Sequence, residues 1–136
     1  MLQFNASIRV RYGETDKMGY VYYGNYAQYF EVARVELLRS LGVSYKSLED
    51  SGVMLPVLHF DIKYIKPAYY DDLLTIKTIV EEVPQVKIKF KYETYNQENV
   101  LLNVAETTLV FVDMKSNKPT MCPEKLLNTF EAHISN

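Results

Sequence analysis

Between positions 26 and 41 the apolar side chains fall at Tyr26, Phe30, Ala33, Leu37 and Leu41, in steps of four, three, four and four. That spacing lays one stripe along a helix. Tyr29 borders the stripe, while Gln28, Glu31, Val35 and Arg39 lie on the far side, so one face needs a large apolar partner. Both ends carry signals. Asn25 is placed as an N-cap, with Gln28 three residues on reaching back as in a capping box, and Gly42 supplies the left-handed residue that stops a helix.

Around this helix the period becomes two. Ile8, Val10 and Tyr12 alternate with Arg9 and Arg11, and Leu58, Phe60, Ile62 and Tyr64 alternate with His59, Asp61, Lys63 and Ile65 until Pro67 intervenes. Val86, Ile88, Phe90 and Tyr92 stand opposite Lys87, Lys89, Lys91 and Glu93. Each run predicts a strand with one dry and one wet face. Residues 73–83, rich in Thr, Ile and Val, predict another. In 100–113, Val100, Leu102 and Val104 lie on one face and Leu109 and Phe111 on the other, so that strand is expected to be central or buried at an oligomer interface. Turns are expected at Tyr70-Asp71-Asp72, Pro84-Gln85 and Asn96 to Asn99. Short helical segments are expected over 44–51 and, with Pro123 at its first turn, over 123–133.

A strand, one long helix and about four consecutive strands on short turns predict a single α+β domain over residues 1–136. Its form is an antiparallel sheet, read as a meander, wrapped around one central helix. One helix covers one face and the sheet keeps open edges, which points to a homodimer or homotetramer.

Composition narrows the function. The 136 residues are 48% hydrophobic and 24% charged with a formal charge of −2, which leaves no basic footprint for nucleic acid. A single cysteine, Cys122, precludes an internal disulfide or a cysteine zinc cluster, and two distant histidines, His59 and His133, argue against a metal site. The opening residues lack the pattern of a signal peptide and no apolar run is long enough to span a bilayer, so the expectation is a cytoplasmic protein without membrane insertion.

The chemistry concentrates over 12–42. A helix beginning near Asn25 presents unpaired N–H donors and the positive end of its dipole, which favour an anion or a developing oxyanion. Asp16 and Tyr23 lie just upstream. By composition alone Asp16 reads as a turn-capping aspartate rather than a catalytic one, Glu14 as a solvated side chain able to tune it by like charge, and Glu31–Arg34 as a surface ion pair.

The run Arg11-Tyr12-x-x-Thr15-Asp16-x-x-Gly19-x-Val21-Tyr22-Tyr23-x-Asn25-Tyr26, with Glu31-x-Ala33-Arg34 on the helix, resembles the hotdog-fold acyl-CoA thioesterases of the 4-hydroxybenzoyl-CoA thioesterase type. Among these the Tol-Pal-associated thioesterases of bacteria are the nearest variety. Lys66-Pro67-Ala68-x-Tyr70-Asp71-Asp72-Leu73-Leu74 is similar too. The resemblance implies hydrolysis of a small aliphatic or aromatic acyl thioester of coenzyme A or an acyl carrier. Coenzyme A is then part of the substrate, and neither a cofactor nor a metal is needed. It implies Asp16 as nucleophile or general base and Tyr23 as the second catalytic residue, with polarising backbone amides near Tyr23 and Gly24 and with Tyr22, Gly24 and Asn25 binding the substrate. It further implies a site between subunits that the strand around His59 helps to line.

The Tol-Pal type carries histidine where this chain has Tyr23, whereas the 4-hydroxybenzoyl type has tyrosine. Two other readings compete with hydrolysis. A hotdog hydratase or dehydratase uses a histidine base, which the matched loop lacks, and a non-catalytic acyl-CoA or acyl-carrier binding module would keep the pocket without the chemistry. Lys63, Lys66, Lys87 and Lys89 read as solvated strand residues or as contacts for the phosphates of coenzyme A. His59 reads as a structural histidine with no local acidic partner. Half of the twelve tyrosines fall between Tyr12 and Tyr29, as an acyl pocket or an aromatic core would require.

Overall fold

The computed structural model describes residues 1–134. Helix α1, Tyr26–Ser40, lies against a five-stranded antiparallel sheet of β1 (Leu2–Arg9), β3 (Val57–Tyr64), β4 (Leu73–Val80), β5 (Lys87–Tyr95) and β6 (Leu101–Val110). The other elements are α2 (Tyr45–Asp50), the short strands β2 (Val53–Met54), β7 (Val112–Asp113) and β8 (Lys118–Pro119), and α3 (Glu124–His133).

The stripe of α1 forms the core as its period demands. Phe30, Ala33 and Leu37 are fully buried, and the Phe30 ring stacks on Tyr92 of β5 at 4.5 Å between centroids. Each such large side chain contributes about 1.5–3 kcal/mol through burial. Facing it are Leu74 and Ile76 of β4 and Ile88 and Phe90 of β5, every second residue of their strands.

The helix ends as predicted. Gly42 is left-handed at φ 83°, its N–H bonds to Arg39 O, and Val43 N–H reaches Leu38 O at 3.0 Å, a Schellman closure. The start differs from the capping-box expectation. Asn25 is itself helical and caps nothing, because a 3₁₀ turn over Tyr23–Asn25 leads into α1 and the Asn25 amide donates instead to Glu14 O at 2.8 Å.

Three further expectations are revised. The strand order is β1-β4-β5-β6-β3, so β4, β5 and β6 form a meander but β3 and β4 lie apart. The connection over 65–72 crosses the end of the sheet, where Val21 N–H bonds to Ala68 O at 2.8 Å and Tyr20 bridges Tyr69. The first strand lies earlier than the Ile8 to Tyr12 alternation suggests, and Tyr12 is exposed. Arg34 makes no pair with Glu31; it is buried and its Nε donates to the Tyr45 hydroxyl at 2.9 Å, because its position faces the interior beside Ala33.

The long apolar run near the C-terminus also differs in detail. It divides into β6 and β7, and β6 has a register shift opposite Thr94 and Tyr95 that leaves consecutive residues Leu102 and Asn103 both buried. As expected of an inner strand, β6 is paired on both sides.

Candidate active site

Asp16 stands at the head of a tight hairpin. Thr15 bridges Val21, Asp16 N–H bonds to Tyr20 O, and Gly19 N–H closes the turn on Asp16 O at 3.0 Å. Gly19 has φ 81°, a conformation that a side chain disfavours. Asp16 Oδ1 accepts from Met18 N–H at 2.9 Å and Tyr20 N–H at 3.2 Å. The turn-capping reading is therefore correct for one oxygen. The other, Oδ2, takes no hydrogen bond among the described residues and is available for chemistry.

Glu14 holds this hairpin to the helix. Its Oε1 accepts from the Tyr29 hydroxyl at 2.9 Å and from Arg11 N–H at 2.8 Å, and its Oε2 meets the Arg11 guanidinium at 3.2 Å. Its carbonyl accepts from Tyr22 N–H and the Asn25 amide. Burial opposes the Glu14 charge, but the bonds from Arg11 and Tyr29 together outweigh it and hold the carboxyl below its ordinary pKa. Glu14 is thus an anchor, half-buried, where the sequence reading has it solvated.

Asp16 lines a cavity of 410 Å³ with Tyr20, Val21, Tyr23, Tyr26 and Tyr64, and the crossing connection closes it with Ile65, Lys66 and Pro67. Two larger hollows, of 550 and 680 Å³, are walled largely by lysines and glutamates, among them Lys91 and Glu81. The apolar cavity with one carboxylate at its edge is the better acyl site. Burial and then the neighbouring Tyr64 push the Tyr26 hydroxyl up to about 12, so it stays protonated.

Of the residues singled out from the sequence, Asp16 and Tyr23 meet in this cavity. Tyr22 does not line it, but its ring packs on Tyr23 at 4.6 Å and covers Gly24, where an added Cβ would lie 2.7 Å from the ring. The Tyr23 and Gly24 amides precede the first bonded amide of the turn, Asn25 N–H to Tyr22 O at 2.9 Å, and take no backbone acceptor among the described residues, as at a helix entry. Asn25 is turned to Glu14.

His59 lies outside this cavity, on the face of β3 that carries Asp61 and Lys63, and its Nε2 pairs with Asp61 Oδ2 at 2.9 Å, an acidic partner that the sequence reading denies it. Of the four lysines, Lys66 reaches the cavity. Tyr64 and Ile65 escape the sequence reading of the site, because only the crossing of 65–72 brings β3's end to the hairpin.

A family model described as the thioesterase-like superfamily matches residues 10–130. The chain belongs to that superfamily. It is 34% identical over 128 residues to the acyl-CoA thioester hydrolase YbgC of Escherichia coli, covering 94% of this chain and 96% of the relative. With the acyl-CoA thioesterase YbgC of Haemophilus influenzae it shares 33% over 128 residues, 93% of each chain. A DHNA-CoA thioesterase from Staphylococcus aureus superposes with a TM-score of 0.92 at 32% identity, covering 97% of this chain and 91% of that one. The architecture is the hotdog fold of these thioesterases. Among the described residues no helix is long and apolar enough to cross a membrane.

Proposed function

We infer that the chain is an acyl-CoA thioester hydrolase in which Asp16 supplies the reacting carboxylate and the Tyr23 and Gly24 amides polarise the thioester carbonyl. The observation that carries this reading is the juxtaposition in one apolar cavity of a carboxylate oxygen free of hydrogen bonds and the entry of a 15-residue helix. As carbon becomes tetrahedral, negative charge grows on the carbonyl oxygen, and fixed amides at a helix entry would stabilise that charge without reorganising.

Two routes use the same carboxylate. As general base, Asp16 takes a proton from water while the water oxygen bonds to the carbonyl carbon; the carbon–sulfur bond then breaks and the thiolate receives that proton. As nucleophile, Asp16 forms an anhydride with loss of the thiolate, and water hydrolyses it in a second step. Both yield a free acid and coenzyme A. Coenzyme A enters and leaves as substrate, and the residues provide all the catalytic groups.

A cavity of 410 Å³ suits a short aliphatic or single-ring acyl group. Lys66 at its edge is placed for the anionic end of the carrier. The unpaired edge of β3, with Val57, Leu58, Phe60 and Tyr64 exposed, suits pairing with a second copy, which would close the cavity's open side and bring a partner's strand to it. A free Cys122 accords with a cytoplasmic setting. A hydratase is disfavoured because His59 pairs with Asp61 away from the cavity and His133 belongs to α3.

The test is a thiol-release assay over acyl-CoA esters of graded length and aromaticity, with crotonyl-CoA monitored for hydration. Thiol release with no hydration supports the reading. Tight binding without release, or water added across the double bond, contradicts it.

A further inference from the structure

The connection over 65–72 that closes the cavity is tied down at its far end by side-chain contacts that take no part in the chemistry. Asp72, half-buried just before β4, accepts from Tyr69 N–H through Oδ2 at 2.9 Å. Its Oδ1 accepts from the Gln97 amide at 3.0 Å, and the oxygen of that amide accepts from Leu73 N–H at 3.0 Å. Gln97 belongs to the turn between β5 and β6, so the contact spans 25 residues of sequence. From Tyr69 the tie continues toward the carboxylate. Tyr69 bridges Tyr20, and their rings meet edge-on at 5.5 Å. Tyr20 N–H in turn holds Asp16 Oδ1 at 3.2 Å, and Tyr20 O accepts from Asp16 N–H at 2.8 Å.

Closing the turn requires only the Tyr69 contact. The Gln97 contact is additional. The ladder between β4 and β5 ends with Thr75 opposite Tyr95, and in the same register Leu73 faces position 97, where a side-chain amide supplies the next rung. That amide fixes the Asp72 carboxylate through a charge-assisted bond, stronger than a neutral one. The Asp72 charge also reaches the cavity wall, where it adds to the effects of burial and Tyr64 in raising the Tyr26 hydroxyl. The turn keeps its own backbone bonds to the end of β1, Val10 N–H to Asp72 O at 2.9 Å and Asp71 N–H to Val10 O at 3.0 Å. Loss of the carboxylate therefore slackens the connection without releasing it.

Asp16 has one oxygen held by the hairpin and one free, so the direction of the free oxygen follows the hairpin's placement against the connection. A reacting group displaced by about 1 Å loses about 10²-fold in rate. We propose that Asp72, locked by Gln97, is a positioning residue for the Asp16 carboxylate, acting through Tyr69 and Tyr20 and not by touching substrate. This deepens the thioester-hydrolase reading and rests on it.

The experiment measures thiol release from butanoyl-CoA and benzoyl-CoA by the intact protein, Asp72→Ala, Asp72→Asn and Gln97→Glu, each at a temperature where it is folded. Asp72→Ala should lose about tenfold in kcat with KM changed by less than about twofold. Asp72→Asn keeps an acceptor for Tyr69 N–H and should recover most of that loss. Should Asp72→Ala not fold, Gln97→Glu sets a second carboxylate against Asp72 while keeping the bond from Leu73, and should lose about threefold in kcat. In the Asp16→Asn background Asp72→Ala should cost less than about twofold further, because its effect passes through Asp16; a merely structural role would cost the same in both backgrounds. A folded Asp72→Ala within about twofold of the intact kcat overturns the proposal, as does a loss carried by KM or one undiminished in the Asp16→Asn background. Amide exchange at Tyr20, followed by NMR, reads the tie without turnover and should quicken about tenfold in Asp72→Ala with the β5 amides unchanged. If the intact protein releases no thiol yet Tyr20 exchange quickens, hydrolysis fails and the tie stands. Turnover with Tyr20 exchange unchanged has the reverse meaning.

Discussion

The Tyr29 hydroxyl donates to Glu14 Oε1 across 2.9 Å, and so the first turn of the central helix holds the loop from which Asp16 projects. Tyr29 is buried and Glu14 half-buried, and the bond is charge-assisted. Removing the hydroxyl by Tyr29→Phe should cost about 1.5 kcal/mol. It should also lower kcat/KM, because the hairpin loses its tie to the helix. Urea unfolding at neutral pH and steady-state kinetics check both.

The same contact sets an acid dependence. Arg11 and Tyr29 hold Glu14 below its ordinary pKa of 4.5 despite burial, so the folded state takes up this proton less readily than the unfolded chain. The stabilisation is complete above that ordinary value and is lost as pH falls through the depressed one. Between pH 7 and about pH 3 the intact protein should therefore lose more stability than Glu14→Gln does. Parallel losses would contradict the assignment.

Gly19→Ala tests the hairpin itself. Nothing lies within 4 Å of the added carbon, so the cost is conformational alone, about 1 kcal/mol at φ 81°. Activity should fall more than stability alone explains, since Asp16 Oδ1 is held by the same turn. Thermal unfolding and kcat/KM at a temperature where the variant is folded separate the two effects.

Gly24→Ala acts differently. Its new carbon displaces the Tyr22 ring, whose partner is Tyr23, while the backbone stays in an ordinary region. The expected outcome is a several-fold fall in kcat/KM with a change in stability below about 0.5 kcal/mol. Unchanged kinetics would remove the Tyr22–Tyr23–Gly24 arrangement from the site.

Cys122 provides a control away from the chemistry. Burial pushes its thiol up to about 12, so at pH 8 it is neutral and screened. A disulfide reagent should label it far more slowly in the native protein than in urea, and thiol release measured with such a reagent should need no correction for it. Rapid native labelling would contradict its placement.

The helix was legible because α1 buries one stripe at a steady period, and its Gly42 stop follows from backbone conformation alone. Strand β5 was legible from alternation, dry face included; β3 forms where its alternation predicts a strand, but at the sheet edge its expected dry face, Leu58, Phe60 and Tyr64, is exposed. What one sequence hides is the long-range part. Nothing local in residues 65–72 announces that they cross from β3 to β4 past the hairpin, yet this crossing brings Ile65 and Pro67 to Asp16. Nor does the apolar pattern of 100–113 reveal the register shift, since Val100, Leu102 and Val104 alternate correctly for an unbroken strand. Asn25 and Glu14 depart from their local patterns for one reason: each has a partner eleven or more residues away, Glu14 O for the first and Tyr29 for the second.

Asp16→Asn is the most direct measurement of the central claim, since the new side chain keeps an oxygen to accept from Met18 and Tyr20 and the hairpin keeps its turn. The variant should fold with unchanged stability and bind acyl-CoA, yet release thiol about 10³-fold more slowly, with kcat rather than KM carrying the loss. A folded Asp16→Asn that turns over within about tenfold of the intact protein would contradict the account.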